Sequence, residues 1–388
     1  MPAKRRFRFL SPPLTAGHRA ALLAAATVIA ALAFAAPSLA STTPVYYDAN
    51  GNVGAGPSPF NATFTGAQNV VTGPGVMPDL TTGDFNIASG AGALDRDTTG
   101  SSNVAIGNIA LSRNTTADSN TALGDNTLGF AQAGHDNVAT GESALEFNSG
   151  NYNIGVGTNA LVTNKGNDNI ATGHQALYNN NGDDNIATGS NALFHNTSGN
   201  NNIATGTGAL QSNTNGDLNL ALGGLALSNN TSGIGNVVTG FGALRQNTTG
   251  NTNVATGYDA LFSNTTGGSN IALGTGAGQN LTTGSNNIDI ANNGVAGESG
   301  RIRIGTAGKQ TAAYLAGVYG KTITGPTQGV VVNSGGRLGT APAPAAPALR
   351  SQSKSLGRLR DKVHQQSVEL RQQGAAIQRL RKQMQNGG

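Results

Sequence analysis

The sequence predicts a mainly β protein built as a repeat solenoid, followed by a C-terminal α-helical coiled coil. Three observations lead there. The phrase Asn-(Ile/Val)-Ala-(Thr/Leu)-Gly recurs at intervals of 17 or 16 residues through the middle of the chain. The composition is too polar for one large core, with Gly at 57 of 388 residues, aromatics at 5% and no Trp. Apolar residues at the end of the chain fall at strict intervals of seven, from Leu356 to Met384. A repeat architecture reconciles the first two, because each unit needs only a thin apolar seam.

The phrase starts at Asn86, Asn103, Asn120, Asn137, Asn153, Asn169, Asn185, Asn202, Asn219, Asn236, Asn253, Asn270 and Asn287, and stepping back by 17 reaches Asn69 and Asn52. These fifteen copies are spaced by 17 residues except for three spacings of 16. Such a period is too short for two helices and a turn, and Gly and Asn are poor helix formers. It suits one coil of a β-solenoid. Fifteen coils are therefore expected between Asn52 and Ala291, making a rod of about 70 Å at ~4.8 Å per coil.

Each position of the coil has a physical reading. The second residue is Ile or Val, as at Ile87, Val104, Ile170, Ile186 and Ile203. A Leu follows eight residues after each Asn, as at Leu94, Leu111, Leu177, Leu193 and Leu210. Both columns are expected to point inward as the repeat core. The third residue is Ala (Ala88, Ala105, Ala139, Ala171, Ala204); alternation puts it on the opposite face, and a site that stays small implies close approach to another chain. The closing Gly suits a bend with unusual φ. The first Asn is expected to stack on its own copies as an amide ladder. Asn-Thr-Thr-Gly or Asn-Thr-Ser-Gly supplies a second turn, as at Asn196, Asn230, Asn247 and Asn264. About two large apolar side chains per coil do not offset ordering costs of ~1–2 kcal/mol per residue, so the solenoids are expected to pack side by side.

The N-terminus reads as a secretory signal. Lys4, Arg5, Arg6 and Arg8 precede an apolar run from Ala20 to Ala36, and Ser38-Leu39-Ala40 offers a cleavage site between Ala40 and Ser41. The chain is therefore expected to be exported, to the medium or cell surface of a bacterium. It has no Cys, which excludes disulfides and thiolate metal sites. The formal net charge is +4, but residues 1–40 carry five of the positives and no acid. Residues 350–388 carry nine Lys/Arg and two acids, which leaves residues 41–349 at −8. A nucleic-acid partner is disfavoured, because nothing in the body would neutralise phosphates.

The repeated N-(I/V)-A-(T/L)-G-x-x-A-L resembles the head repeats of trimeric autotransporter adhesins, over about residues 52–305. That resemblance implies a left-handed parallel β-roll, three chains packed about one axis and a coiled-coil stalk. Repeats in that family are often near fourteen residues, so the longer coils here should carry more prominent turns. Arg301-Ile302-Arg303-Ile304-Gly305 looks like a last degenerate coil, and "TAAYLAGVYGKTITG" and "GVVVNSGGRLGT" read as strands between Gly turns. This stretch resembles the junction of repeat adhesins and phage tail-spike-like proteins before a self-cleaving chaperone. Here Gly336-Arg337-Leu338-Gly339-Thr340 is followed by "APAPAAPA" instead of a Ser and Lys dyad, so no self-cleavage is expected. The membrane β-barrel segment of the family is not found in the final residues, and no transmembrane segment is expected after signal removal.

The expected organisation is a signal at 1–40, a lead-in at 41–51, the β-roll at 52–300, a β-rich junction at 301–340, an Ala/Pro linker at 341–349 and a coiled coil at 350–388. Its seam combines Leu356, Val363, Leu370, Ile377 and Met384 with Leu359, Gln366, Gln373 and Leu380. The two Gln weaken packing but help fix register and oligomer state.

Enzyme chemistry finds no constellation to rest on, and no cofactor or metal is expected. His174 and His195 lie at different offsets in their coils. Asp168, Asp183 and Asp184 sit in turns; weak calcium binding is the sharper reading and solvated turn residues the plainer one. Asn-x-Thr/Ser phrases fit glycosylation acceptors in form but are explained by turn chemistry repeated with the period. Thr140, Thr172, Thr188, Thr205, Thr239 and Thr256 suggest an ice-binding column, broken by Ile106, Leu123, Val156, Leu222 and Leu273. The sequence thus leads to a non-enzymatic, exported, adhesin-like fibre, self-associated and displaying its turns to a host, matrix or cell-surface ligand. The alternatives are a passive spacer or tail-fibre-like component, and, more weakly, an ice-binding protein or the scaffold of a secreted enzyme.

Overall fold

The structure, a computed structural model, describes residues 45–56, 60–61, 63–130, 134–315, 329–340 and 346–385. The signal segment with Ala40 and Ser41, residues 316–328 of the junction and residues 341–345 of the linker lie outside the described residues. The chain divides into two compact units, Met1–Thr311 and Ala312–Gly388.

The first unit is a parallel β-solenoid. Three-residue strands from Val53–Ala55 to Ile302–Ile304 stack in one sheet, which reaches 17 strands with Val45–Tyr47 at its N-terminal end. Like pairs with like along the stack: Ile170 with Ile186, Ala171 with Ala187, Thr172 with Thr188, and each again with the next coil. Fifteen strands follow the fifteen Asn, so about fourteen full turns separate the first from the last. Val45–Tyr47 runs antiparallel to Val53–Ala55 and covers that edge of the sheet, which would otherwise be free to pair with other chains.

The interior corrects one expectation. The Leu ladder does face inward, with Leu94, Leu111, Leu177, Leu193 and Leu210 at 0–1% exposure. The middle residue of the strand, Ala in most coils, faces inward with it, and the Ile/Val column faces out. Ala88, Ala105, Ala171, Ala187 and Ala204 are buried, whereas Ile170, Ile186 and Ile203 are 37–38% exposed; Val104 is half-buried, and of the five expected core residues in that column only Ile87, at 7%, is buried. The cause is the narrow cross-section. A Cβ built at Gly155, the third-position residue of its coil, would lie 3.3 Å from Leu145 Cδ1. The Leu of one wall fills the interior, and the facing strand has room for small side chains only, Ala in most coils, Gly at Gly155 and Val at Val71 and Val238. The Ala column is small because of its own chain, not because of another.

The Leu ladder adopts a left-handed backbone throughout, with φ near +50° at Leu94, Leu111, Leu145, Leu177, Leu193 and Leu210. This turn lets two successive side chains, such as Ala192 and Leu193, both face the interior. The residue before each Asn is left-handed too, as at Asp184, Asn201 and Leu218. Leu218 is 62% exposed there, while the equivalent position in the next coil is Gly235. Leu218→Asn is expected to stabilise the protein by about 0.5–1 kcal/mol, because Asn tolerates this region and Leu does not; a thermal melt that falls instead would refute the strain assignment. The Gly that closes most strands is required on both counts, conformation and space. Gly189 has φ +131°, and a Cβ there would sit 2.8 Å from the backbone of Gly206.

Two amide ladders run along the rod. In the first, Asn202 donates its backbone N–H to Asn185 Oδ1 at 3.0 Å and its side-chain amide to the carbonyl of Gly216 at 2.8 Å. All fifteen first-position Asn are buried. The ends are closed as well: Asp48 accepts from Asn52 N and Nδ2, and Asn287 Oδ1 accepts from Arg301 N. The second ladder passes through the other turn, as in Asn196 Nδ2 to Asn180 Oδ1 at 2.7 Å and Asn213 Nδ2 to Asn196 Oδ1 at 2.8 Å. The 16-residue coils lose their residue in this turn, where Asn148-Ser149-Gly150 stands in place of Asn196-Thr197-Ser198-Gly199. The tighter turn straightens the backbone before it, and Phe147–Asn148, Thr163–Asn164 and Asn179–Asn180 form a second, three-stranded parallel sheet.

In the second unit, Val330–Val332 and Leu338–Thr340 form an antiparallel hairpin, matching the strands expected in "GVVVNSGGRLGT". Thr311–Leu315, expected in a strand, has no regular structure. A single helix, Ala346–Gln385, takes in residues 346–349, expected in the linker. Leu356, Leu359, Val363, Leu370, Ile377, Leu380 and Met384 are 55–82% exposed on it, and Gln366 and Gln373 are exposed among them. Among the described residues no helix is long and apolar enough to cross a membrane.

Candidate functional surfaces

The sheet face turned to solvent is the most unusual surface of the solenoid. Alternation places positions two and four of each strand on it. Val138, Ile154, Ile170, Ile186, Ile203, Val237, Val254 and Ile271 make one column, each 37–43% exposed. Beside it run Leu123, Val156, Leu222 and Leu273, 36–50% exposed, interspersed with Thr172, Thr188 and Thr205. The columns are continuous because the coils stack in register. An apolar band this long is rare on the surface of a monomeric soluble protein. The Thr positions interrupted by aliphatic residues belong to this band.

The corners of the rod hold the polar residues singled out in the sequence. In most coils the residue two before the Asn accepts a backbone N–H from the preceding coil: Ser101 N–H to Asp118 Oδ1, His135 N–H to Asn151 Oδ1, Asn167 N–H to Asp183 Oδ1. His135 joins this row by accepting from Asp118 N–H at Nδ1, 3.0 Å. Asp183 is thus engaged in holding coils together. Burial, then Asp184 and Asp183, raises the Asp168 carboxyl above its ordinary value. Among the described residues no three His, Asp or Glu are grouped so as to hold a metal ion. His195 sets its ring edge against Phe194 at 4.5 Å, away from His174 in the neighbouring coil's other corner. Asn114, Asn196, Asn230, Asn247 and Asn264 of the Asn-Thr-Thr/Ser phrases are buried in the second ladder, which is the turn role expected of them.

One ladder residue is out of place. Asp97 occupies the position of the second ladder's Asn, between Leu80 and Asn114, and is fully buried. Its Oδ1 accepts from Gly100 N–H at 2.9 Å, while Oδ2 has no partner. Burial pushes its carboxyl up to about 7, partly opposed by the Gly100 bond. The folded state therefore holds this proton more tightly than the unfolded chain. Stability from Asp97 is fully present below the ordinary carboxylate value and is lost as pH rises toward 7. Asp97→Asn is expected to remove that loss, stabilising the chain above pH 7 by on the order of 4 kcal/mol, at about 1.4 kcal/mol for each pH unit between the ordinary carboxylate value and 7. Urea melts at acid and at neutral pH measure it; an equal effect at both would refute the assignment.

Aromatic rows were not legible as such in the sequence. Arg113 lies 4.6 Å over the Phe130 ring, Phe130 stacks on Phe147 at 5.2 Å, and Tyr178 stacks on Phe194 at 5.0 Å. The signal was present in the spacing, since Phe130 and Phe147 both stand two residues after a ladder Leu. No family model matches this chain, and a search of curated proteins returns no match, so the assignment to a parallel β-solenoid stands on the repeat and its in-register stacking.

Proposed function

We propose that this chain is an exported, adhesin-like fibre that acts by binding, and that it assembles by packing three rolls together along the outward Ile/Val band. The band is the observation that carries the reading. It is apolar over many successive coils, regular to the residue, and lacks a partner within the described residues. Covering it would remove from water the second large side chain of each coil, at about 25 cal/mol per Å² of apolar surface. The seven-residue spacing of Leu356, Val363, Leu370, Ile377 and Met384 supports a coiled-coil stalk joining the same chains. The adhesin resemblance of the repeats supports three chains over two. With the buried Asn side chains tied into ladders, ligand contact falls to the turns at the corners.

Sedimentation of residues 41–388 is expected to give the mass of three chains. The triple variant Ile170→Glu, Ile186→Glu and Ile203→Glu should weaken assembly while keeping β-rich circular dichroism, because its side chains lie outside each roll. A dimer would refute the three-chain arrangement; a stable folded monomer would refute the role of the band. Retention of the assembled rod on host or matrix surfaces is expected, and its absence would favour a passive spacer.

A further inference from the structure

The interior of the roll changes in its last coil. Position three, Ala at Ala255 and Ala272, becomes Asp289. The Leu ladder stops at Leu261, and the residue eight after Asn270 is Gly278. The Asp289 carboxylate lies where that Leu side chain is missing: a Cβ at Gly278 would be 3.4 Å from its Oδ2, and one at Gly294 would be 2.9 Å from the same oxygen. Asp289 is fully buried, and neither carboxylate oxygen has a hydrogen-bond partner. Leu261, Ala272 and Leu281 around it offer no polar side chain. An ionised carboxylate in such a place is costly, whereas a protonated one is far less so.

A cation stands on the neighbouring strand but is turned elsewhere. Arg303 is the in-register partner of Asp289, yet its Nε and Nη2 donate to Glu298 at 2.8 and 2.6 Å. Glu298 also accepts from Val295 N–H at 2.9 Å, and its backbone carbonyl receives the Asn287 side-chain amide at 2.8 Å. One guanidinium thus faces two carboxylates and serves one. The charged groups acting on Asp289 are Glu298 from the loop and Arg303 from the last strand; Arg301 acts on Glu298.

We propose that the last coil is a proton-operated clasp: while Asp289 carries a proton, Arg303 is held by Glu298 and the coil is closed, and when the proton leaves, Arg303 turns to Asp289 and frees Glu298 with the 294–300 loop. Burial, reinforced by Glu298 and opposed by Arg303, pushes the Asp289 carboxyl up to about 6. The closed form therefore binds the proton more tightly; it is favoured below the ordinary carboxylate range and given up as pH rises through about 6. The consequence falls on the exposed strand Ile302–Ile304, whose Ile residues are 70 and 72% exposed at the C-terminal edge of the sheet.

The chain has no Trp, so Val295→Trp in the full chain places a single fluorophore in the loop, at a position 51% exposed. Its emission is expected to titrate in one step near pH 6. Asp289→Asn should abolish the step and hold the low-pH emission; Glu298→Gln should abolish it and hold the high-pH emission. In the unsubstituted chain, backbone amides of 294–305, corrected for intrinsic rates, should show roughly tenfold less protection from hydrogen exchange above neutrality than at mildly acid pH. A step that persists in Asp289→Asn, or protection equal at both pH values, overturns the proposal.

Discussion

Leu193→Asp is expected to give the largest loss of stability of any single substitution in the rod, at least about 4 kcal/mol. Removing a buried Leu side chain alone costs roughly 2–5 kcal/mol, and the carboxylate adds the cost of a buried polar group without a partner. Leu193 is fully buried in the ladder between Leu177 and Leu210. Coils of a solenoid depend on their nearest neighbours, so the damage should concentrate in the adjoining coils. Hydrogen exchange there should rise while the distant coils around Leu111 keep their protection. His195, two residues on, is exposed and touches only the Phe194 ring among the aromatic contacts. His195→Ala should cost less than about 1 kcal/mol, the scale of one ring–ring contact. Urea melts of the two variants decide the matter, and similar midpoints would contradict the inward ladder.

Asn202→Leu is expected to approach that effect by a different route. The substitution keeps the number and branching of side-chain heavy atoms but removes both ends of a ladder rung. Asn219 N–H loses its acceptor, Asn202 Oδ1, at 3.0 Å, and the Gly216 carbonyl loses its donor at 2.8 Å. Each buried group left unpaired costs about 1–3 kcal/mol, which gives roughly 3–5 kcal/mol for the rung. Asn200, part of the partly exposed corner row, is the comparison: its Oδ1 accepts one N–H from Asp183 at 2.8 Å. Asn200→Ala should cost no more than about 1 kcal/mol, since water can replace that bond. Thermal melts in which Asn200→Ala matches Asn202→Leu would show that the ladder is not the source of cohesion.

The two substitutions also separate what was readable from what was not. Period, register and the first amide ladder were all legible, because identical residues at a constant spacing can only stack on one another. The Leu column was legible for the same reason, as were the last coil at Ile302–Ile304 and the strands within "GVVVNSGGRLGT", though not their pairing as a hairpin. Of the surface readings, the turn role of Asn196, Asn230, Asn247 and Asn264 followed from the same repetition. The two misplaced acids, Asp97 and Asp289, stand out only once their columns are known to be buried, for nothing in a lone Asp reveals its depth.

Alternation along an extended backbone is enough to put Ile/Val and Ala on opposite faces of each strand. Which of the two faces the interior was decided only by the tertiary structure. Hydrophobicity favours Ile inside and Ala out, yet Ile186 is half-exposed and Ala187 is buried. The physical reason is the width of the roll. The Leu side chain, turned inward by a left-handed backbone at φ near +50°, reaches across to the opposite strand and leaves space for small side chains, Ala in most coils and Val at Val71 and Val238. The larger residue is thereby placed outside, where the roll has its apolar band.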